Sequence, residues 1–277
     1  MCRWLAYSGS PVPLSEVLYT PIQSFIDQSL RSKLGAETTN GDGFGIGWYD
    51  GRATPGLFRS IEPAWNDSNL REVSNHVTSP LFFAHIRAAI GSSVQRTNCH
   101  PFRHGQRLWM HNGFVDGFTK YKRELAFAVD PSLYPLISGT TDSELIFYLA
   151  LSFGLDDDPP DAVAKAIGFV EDRGRKAGVT NPFQGTIVTS DGDAMWAFRY
   201  SSEGKSRTLF FTRQVPALRE EYPDKPILQT VSDDARLVVS EPIGNLPGAW
   251  HEMPEASCGI VQKGDDELRP FTPKAPA

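Results

Sequence analysis

The chain has 277 residues and a formal net charge of −6, with 40% hydrophobic and 22% charged residues. These proportions are typical of a soluble globular protein, and the acidic balance argues against nucleic acid or an anionic membrane as a partner. The sequence lacks an apolar run of the roughly 20 residues that a membrane span needs, and its start lacks the apolar core of a secretory signal. Three widely separated cysteines, Cys2, Cys99 and Cys258, indicate a reducing compartment, so we expect a cytoplasmic protein.

The first half of the chain is predicted to consist mainly of strands, with two amphipathic helices. Ile22, Phe25, Ile26, Leu30 and Leu34 recur at the spacing of a single helix face. The other elements predicted here are strands at 2–7, 43–49, 81–86 and 108–111, and a surface helix at 66–77 whose cap lies among its first three residues.

In the second half, helices come first and strands follow. Thr141 with Glu144 three positions later has the form of a capping box, which predicts that a helix begins there. Asp191-Gly192 between two apolar runs predicts a β-hairpin. The elements predicted here are helices at 118–127, from 141 onward and at 161–176, and strands at 185–189, 194–200, 209–212, 236–240 and 259–262.

This order of strand pairs and helices predicts a layered α+β architecture. No linker composition divides the chain, so we expect a single domain over residues 2–263. The segment 264–277 is charged and rich in proline, and we expect it to be a loose C-terminal tail.

Cys2 is the first candidate for chemistry, because initiator methionine is normally removed before a small residue. Removal of Met1 would give Cys2 a free α-amino group, with a reference pKa of about 7.7–8.0. That amine is a base beside a thiol whose pKa is about 8.5, so one residue would supply both nucleophile and base. The alternative is an inert buried cysteine, which position alone favours.

Three further sites contain the groups that acyl transfer from a γ-glutamyl amide requires. The planar guanidinium of Arg87 suits the α-carboxylate of such a substrate, and the carboxylate of Asp142 suits its α-ammonium group. The side-chain amide of Asn112 and the backbone N–H of Gly113 suit the oxyanion of a tetrahedral intermediate. Simpler interpretations are a salt bridge for Arg87, a turn for Asn112-Gly113 and a helix N-cap for Asp142.

Together these segments closely resemble the class II glutamine amidotransferases, members of the N-terminal nucleophile hydrolases. The resemblance extends from residue 2 to residue 242 and keeps the order of the family's motifs. Those motifs are Cys2, Asp42-Gly43-Phe44-Gly45-Ile46-Gly47-Trp48, His85-Ile86-Arg87-Ala88-Ala89, Asn98-Cys99-His100-Pro101, His111-Asn112-Gly113, Thr141-Asp142-Ser143-Glu144 and Ser240-Glu241-Pro242.

The resemblance implies a four-layer αββα sandwich and an amidohydrolase that forms a γ-glutamyl thioester on Cys2. It implies that Arg87 binds the glutamine carboxylate, that Asn112 and Gly113 form the oxyanion hole and that Asp142 holds the α-amino group. The chain departs from the better-known synthases at Ala88-Ala89-Ile90-Gly91, which is smaller and shorter, so the preferred acyl donor stays open.

The chain stops near the end of the glutaminase-like domain, which indicates the stand-alone branch that includes γ-glutamyl hydrolases of thiol metabolism. One alternative is a glutaminase subunit that passes ammonia or product to a separate partner enzyme. Another is a binding protein that has lost the chemistry. We also expect a homodimer, since homodimers are the commonest soluble assembly.

Two further residue sets are open to a competing interpretation. Alternating glycines from Gly41 to Gly47 suggest a nucleotide loop, but their position within a strand favours close packing near the Cys2 strand. His85, Cys99, His100, His104 and His111 suggest zinc, yet their spacing fits no standard ligand pattern. We therefore expect no metal and no cofactor, and place His100 and His111 in or near the active-site loop.

Overall fold

Two antiparallel sheets, stacked face to face, form the centre of the structure. The structure is a computed structural model, and it describes residues 2–34, 39–89, 91–262 and 266–275. A layer of helices covers the outer face of each sheet, so the order of layers is helix, sheet, sheet, helix. The predicted four-layer αββα sandwich is therefore confirmed.

The first sheet contains the strand that follows Cys2. In spatial order, its strands in the described part of the chain are β11 (Trp250–Glu252), β9 (Phe210–Thr212), β10 (Arg236–Val239), β1 (Arg3–Pro13), β4 (Thr78–Ile86), β2 (Phe44–Tyr49) and β3 (Gly56–Ser60). Side chains alternate between its faces, as the pleat requires. Trp4 and Ala6 pack between the sheets, whereas Leu5 and Tyr7 pack under the outer helices.

The second sheet contains the predicted hairpin. In spatial order, its strands in the described residues are β13 (Glu267–Pro270), β12 (Ser257–Val261), β8 (Met195–Ser201), β7 (Phe183–Ser190), β6 (Arg107–Val115) and β5 (Phe102–His104). Asp191-Gly192 lies between β7 and β8, and Gly192 has φ +100°, which a glycine adopts without strain.

The helices divide between the two outer faces. Those on the first sheet are α1 (Leu14–Leu18), α2 (Phe25–Leu30), α3 (Ser68–His76), α7 (Val215–Glu221) and α8 (Pro226–Thr230). Those on the second sheet are α4 (Phe118–Phe127), α5 (Asp142–Ser152) and α6 (Pro159–Lys176). Short 3₁₀ turns occupy Ala64–Asn66, Arg96–Asn98 and Tyr134–Leu136. In the described residues, no helix is both long enough and apolar enough to cross a membrane.

The helix predicted from Ile22 to Leu34 is shorter than its apolar spacing suggested. Ser24 accepts a hydrogen bond from the backbone N–H of Asp27, and the Asp27 carboxylate accepts one from the backbone N–H of Ser24. This capping box starts the helix after Ile22, which is 69% exposed, and the helix ends at Leu30.

The expectation of a loose tail from residue 264 is wrong for the described residues of that segment. Strand β13 pairs with β12, Phe271 is buried, and the backbone N–H of Lys274 donates to the carbonyl of Ala164 in α6. The side chains of β13 are exposed, so its composition resembles that of a loop although its backbone completes a sheet edge.

Candidate active site

Cys2 lies at one end of the first sheet, beside the residues that follow β4. Because Arg3 pairs with Ile86, Cys2 comes next to Arg87 and Ala88. The backbone N–H of Ala88 donates to Cys2 Sγ at 3.4 Å, and the thiol donates to the carbonyl of Ala88 at 3.5 Å. The residue as a whole is half-buried, but its sulfur is enclosed, and this burial raises the pKa of the thiol despite the opposing charges of Arg87 and Arg3. Burial therefore opposes formation of the thiolate, and a base is needed to take the thiol proton.

Two side chains hold the carbonyl oxygen of Cys2. Asn112 Nδ2 donates to it at 2.8 Å, and Arg3 Nη1 donates to it at 3.1 Å. Asn112 lies on β6, so this hydrogen bond crosses from one sheet to the other. The nucleophile residue is thereby fixed to both sheets.

The ion pair between Arg3 and Glu241 is a feature to which the sequence analysis assigned no role. Arg3 Nε donates to Glu241 Oε2 at 3.1 Å, and both side chains are buried. Glu241 also accepts hydrogen bonds from the backbone N–H groups of Lys33 and Leu34, both at 2.9 Å. Two features of the sequence could have indicated this ion pair. They are the arginine directly after Cys2 and the Ser240-Glu241-Pro242 motif, in which Glu241 had been given no role.

Arg87 is buried directly after β4, beside Cys2. Its guanidinium donates to Ser92 Oγ at 2.7 Å, to the carbonyl of Ser93 at 3.0 Å and to the carbonyl of Asp42 at 3.4 Å. No carboxylate among the described residues forms an ion pair with it, in contrast to Arg3. A buried positive charge without a counter-ion is costly, and an anionic ligand would offset that cost.

Asp142 is the first residue of α5, which packs against β6. Its Oδ2 accepts a hydrogen bond from the backbone N–H of Val115 at 2.8 Å, and its Oδ1 accepts one from the backbone N–H of Ser143 at 2.8 Å. The N-cap is Thr141, whose Oγ1 accepts from Glu144 N at 3.2 Å, so the interpretation of Asp142 as a mere cap is wrong. Asp142 is partly exposed and fixes the start of α5 to β6.

Asn112-Gly113 lies within strand β6, so its interpretation as a turn is also wrong. A Cβ atom on Gly113 would lie 2.1 Å from the carbonyl oxygen of Gln184 and 2.6 Å from His111 Nε2. Only glycine fits this contact with β7.

Three buried histidines lie beneath the site. His85 and His100 stack with ring centroids 4.3 Å apart, and none of their four ring nitrogens has a hydrogen-bond partner among the described residues. His111 Nδ1 is 2.8 Å from Ser143 Oγ. Burial lowers the pKa of His85 to about 3 and holds the pKa of His100 well below its ordinary value. Within the described ranges, no group of three or more His, Cys, Asp or Glu side chains could hold a metal ion.

The glycines of β2 lie close to the loop before β5 and to β6. A Cβ atom on Gly45 would lie 2.2 Å from the carbonyl oxygen of His100, and one on Gly47 would lie 3.0 Å from a methyl carbon of Leu108. The close-packing interpretation therefore fits, because the strand lacks the helix N-terminus of a phosphate loop.

The structure thus brings Cys2, Arg87 and Asn112 together and places Asp142 on the neighbouring helix start. A thiol, a guanidinium and an amide donor at the end of a sandwich suit attack on the carbonyl of an anionic amide. Comparison with known proteins tests this chemistry. The sequence profile of the class-II glutamine amidotransferases matches residues 14–273.

The chain belongs to the class II glutamine amidotransferases. It is 31% identical over 305 residues to the probable glutamine amidotransferase DUG3 of Saccharomyces cerevisiae, and the alignment covers 98% of this chain and 84% of that protein. It is 33% identical over 160 residues to the γ-glutamyl-hercynylcysteine sulfoxide hydrolase of Mycolicibacterium smegmatis, which covers 56% of this chain and 65% of that protein.

Solved structures of other amidotransferases share the fold. A glutamine aminotransferase class-II domain protein from Silicibacter pomeroyi superposes with a TM-score of 0.74 at 33% identity, covering 98% of this chain and all of that one. The glutamine PRPP amidotransferase of Bacillus subtilis superposes with a TM-score of 0.65 at 14% identity, which shows the common fold alone. This amidotransferase spans twice the length that the alignment uses, since only 50% of it is covered.

Proposed function

We propose that this amidotransferase hydrolyses γ-glutamyl amides through a covalent thioester on Cys2. The observation that carries the proposal is the placement of Cys2 Sγ beside the backbone of Ala88, directly after a buried Arg87 that lacks a carboxylate partner among the described residues. A thiol next to an unneutralised guanidinium suits a substrate that has a carboxylate close to its scissile amide.

The reaction begins when the α-amine of Cys2, free after removal of Met1, takes the thiol proton. The sulfur then attacks the γ-carbonyl carbon and the carbonyl oxygen becomes an oxyanion. One N–H of the Asn112 amide holds the Cys2 carbonyl, and its second N–H, with the backbone N–H of Gly113, is assigned to that oxyanion. The α-ammonium group returns the proton to the departing nitrogen, and the carbon–nitrogen bond breaks to leave a γ-glutamyl thioester.

Water completes the reaction. The Cys2 amine takes a proton from the water molecule, the hydroxide attacks the thioester and the carbon–sulfur bond breaks. Glutamate leaves and the thiol is restored, so every proton is accounted for by the one amine. Met1 lies outside the described residues, and retention of Met1 would turn this amine into an amide that cannot act as a base.

The glutamyl head group is assigned to Arg87 and Asp142, with the carboxylate on the former and the ammonium group on the latter. His100 and His111 do not contact substrate in this proposal; they support the loop and strand around the site. The names of the relatives support two kinds of departing group: a large amine, as in γ-glutamyl-hercynylcysteine sulfoxide, and ammonia, as in glutamine.

The test is a panel of γ-glutamyl amides with departing groups from ammonia to aminoacyl peptides, comparing the wild type with Cys2→Ala. We expect glutamate release by the wild type only, in preparations whose intact mass lacks Met1. Glutamate release by the isolated chain would make a partner subunit unnecessary, and gel filtration in the same buffer would test the expected homodimer. Equal rates for the wild type and Cys2→Ala would contradict the proposed function.

A further inference from the structure

Asn98 is fully buried in the loop between β4 and β5 and joins two loops that border the site. Its Nδ2 donates to the carbonyl oxygen of Ser93 at 3.0 Å and to Thr140 Oγ1 at 3.1 Å. Its Oδ1 accepts a hydrogen bond from the backbone N–H of Thr140 at 2.8 Å. A single amide therefore joins Ser93 of its own loop to Thr140, which lies 42 positions after Asn98 in sequence.

The first of these loops holds Arg87. The carbonyl oxygen of Ser93 accepts one hydrogen bond from the Arg87 guanidinium and another from Asn98 Nδ2. Ser92 Oγ accepts a second hydrogen bond from the same guanidinium nitrogen of Arg87. A displacement of Asn98 would move the oxygen that orients the guanidinium.

The second loop leads into Asp142. Thr140 is followed by the N-cap Thr141 and then by Asp142. A displacement of Thr140 would therefore also move the start of α5 and Asp142. Glu144 fixes the loop from the other side, because its carboxylate accepts hydrogen bonds from the backbone N–H groups of Ser138 at 3.1 Å and Gly139 at 2.6 Å.

The two loops pack closely against each other at Gly139. A Cβ atom on Gly139 would lie 2.6 Å from Asn98 Oδ1 and 2.9 Å from the carbonyl oxygen of Thr97. The amide of Asn98 is thus bounded by backbone on one side and hydrogen-bonded on the others, and it has one position relative to both loops.

We propose that Asn98 is a positioning residue that sets the spacing between Arg87 and Asp142. Through this spacing it selects ligands that have a carboxylate and an ammonium group on the same carbon. The inference rests on the proposed function, because it takes Arg87 and Asp142 as the groups that bind the glutamyl head. Asn98 does not touch the ligand.

Equilibrium binding separates this role from a purely structural one. Calorimetry on the full chain with Cys2→Ala would compare L-glutamate with glutarate, which lacks the α-ammonium group. We expect Asn98→Ala to reduce the preference for glutamate over glutarate about tenfold, as for coupled residues of one network. A general loss of stability would weaken both ligands by the same factor.

The matched control is Gln95→Ala. Gln95 Nε2 donates to the same Asn98 oxygen at 3.2 Å but joins neither loop to the other, so the preference should be unchanged. Asn98→Asp keeps the oxygen that accepts from the Thr140 N–H and loses the N–H that donates to Ser93. If Asn98→Ala does not fold, this second variant tests the proposal, and we expect it also to have a reduced preference for glutamate over glutarate.

The proposal would be overturned if Asn98→Ala kept the preference for glutamate over glutarate, whether or not both ligands bound more weakly. It would also be overturned if the Cys2→Ala chain with Asn98 intact showed no preference for glutamate. Failure of the proposed function gives a different result. If the wild type showed no Cys2-dependent hydrolysis but the glutamate preference fell in Asn98→Ala, the positioning role would stand and the chemistry would not.

Discussion

The side-chain amide of Asn112 and the main-chain carbonyl of Cys2 are joined by a hydrogen bond of 2.8 Å that spans the two sheets. The same amide is assigned to the oxyanion, so its removal affects the position of the nucleophile and the stability of the intermediate. We predict that Asn112→Ala lowers kcat for γ-glutamyl amide hydrolysis about 10²–10³-fold. Steady-state kinetics would measure this, with the exposed Asn75→Ala as control. An unchanged kcat would rule out Asn112 as an oxyanion donor.

Substitution of Arg87 by lysine keeps the charge and removes the planar fork. We predict that Arg87→Lys raises KM at least about tenfold, because an ammonium group cannot bind a carboxylate through two parallel N–H groups. The value of kcat should fall less than kcat/KM. Arg96→Lys, at an exposed position on the neighbouring 3₁₀ turn, is the control. If both variants kept the wild-type KM, the carboxylate would have to bind elsewhere.

Loss of Glu241 would leave Arg3 buried without its carboxylate. We predict that Glu241→Ala lowers the free energy of unfolding by about 3–5 kcal/mol, since the buried Arg3 guanidinium would lose the carboxylate that offsets its charge. Urea denaturation would measure the change. Glu221→Ala removes the partner of Arg213 in an exposed pair and should cost about 1 kcal/mol or less. Equal losses in the two variants would show that the Arg3–Glu241 pair is not a special support of the fold.

The buried histidines predict a loss of stability in mild acid. Burial is the main cause of the lowered pKa of His85, His100 and His111, whereas a histidine of the unfolded chain has a pKa near 6.5. The unfolded state then binds more protons, and stability falls as the pH drops below about 6.5, by up to roughly 1.4 kcal/mol per pH unit for each histidine. For His85, the loss continues down to its folded pKa of about 3.

Urea unfolding between pH 8 and pH 5 would measure this slope. We expect His85→Phe to reduce it, because phenylalanine fills a similar volume and does not titrate. Asn75→Ala, at an exposed position in α3, changes no titratable group and should leave the slope as it is in the wild type. A wild-type stability that stays constant from pH 8 to pH 5 would contradict the lowered pKa values of the buried histidines.

Local sequence signals predicted much of the fold. Helix α4 begins and ends at the predicted residues, and the hairpin at Asp191-Gly192 joins the predicted strands, because spacing and turn chemistry act over a few residues. Short edge strands such as β3 and β5 were missed, since three to five residues give little periodicity. The tail was misjudged because the side chains of β13 face solvent while its backbone is paired.

The family, its fold and its class of reaction were predicted correctly from motifs that keep their order along the chain. The connections between those motifs were not predicted. The hydrogen bond from Asn112 to Cys2 joins the two sheets, and the hydrogen bonds between Asn98 and Thr140 join two loops that are distant in sequence. The spacing of residues along the sequence does not show which distant segments come into contact. The roles of Cys2, Arg87, Asn112, Gly113 and Asp142 stay predictions until the variants are measured.

The Arg3–Glu241 pair joins residues 238 positions apart in sequence. Synthesis on the ribosome proceeds from the N-terminus, so Cys2 and Arg3 emerge long before Glu241. Throughout that interval, Arg3 lacks the Glu241 carboxylate that orients it toward the Cys2 carbonyl. A nascent chain that stops before residue 241 would contain Cys2, Arg87, Asn112 and Asp142 and still lack the Arg3–Glu241 ion pair. We therefore expect Arg3 to hold the Cys2 carbonyl less firmly until Glu241 has been added.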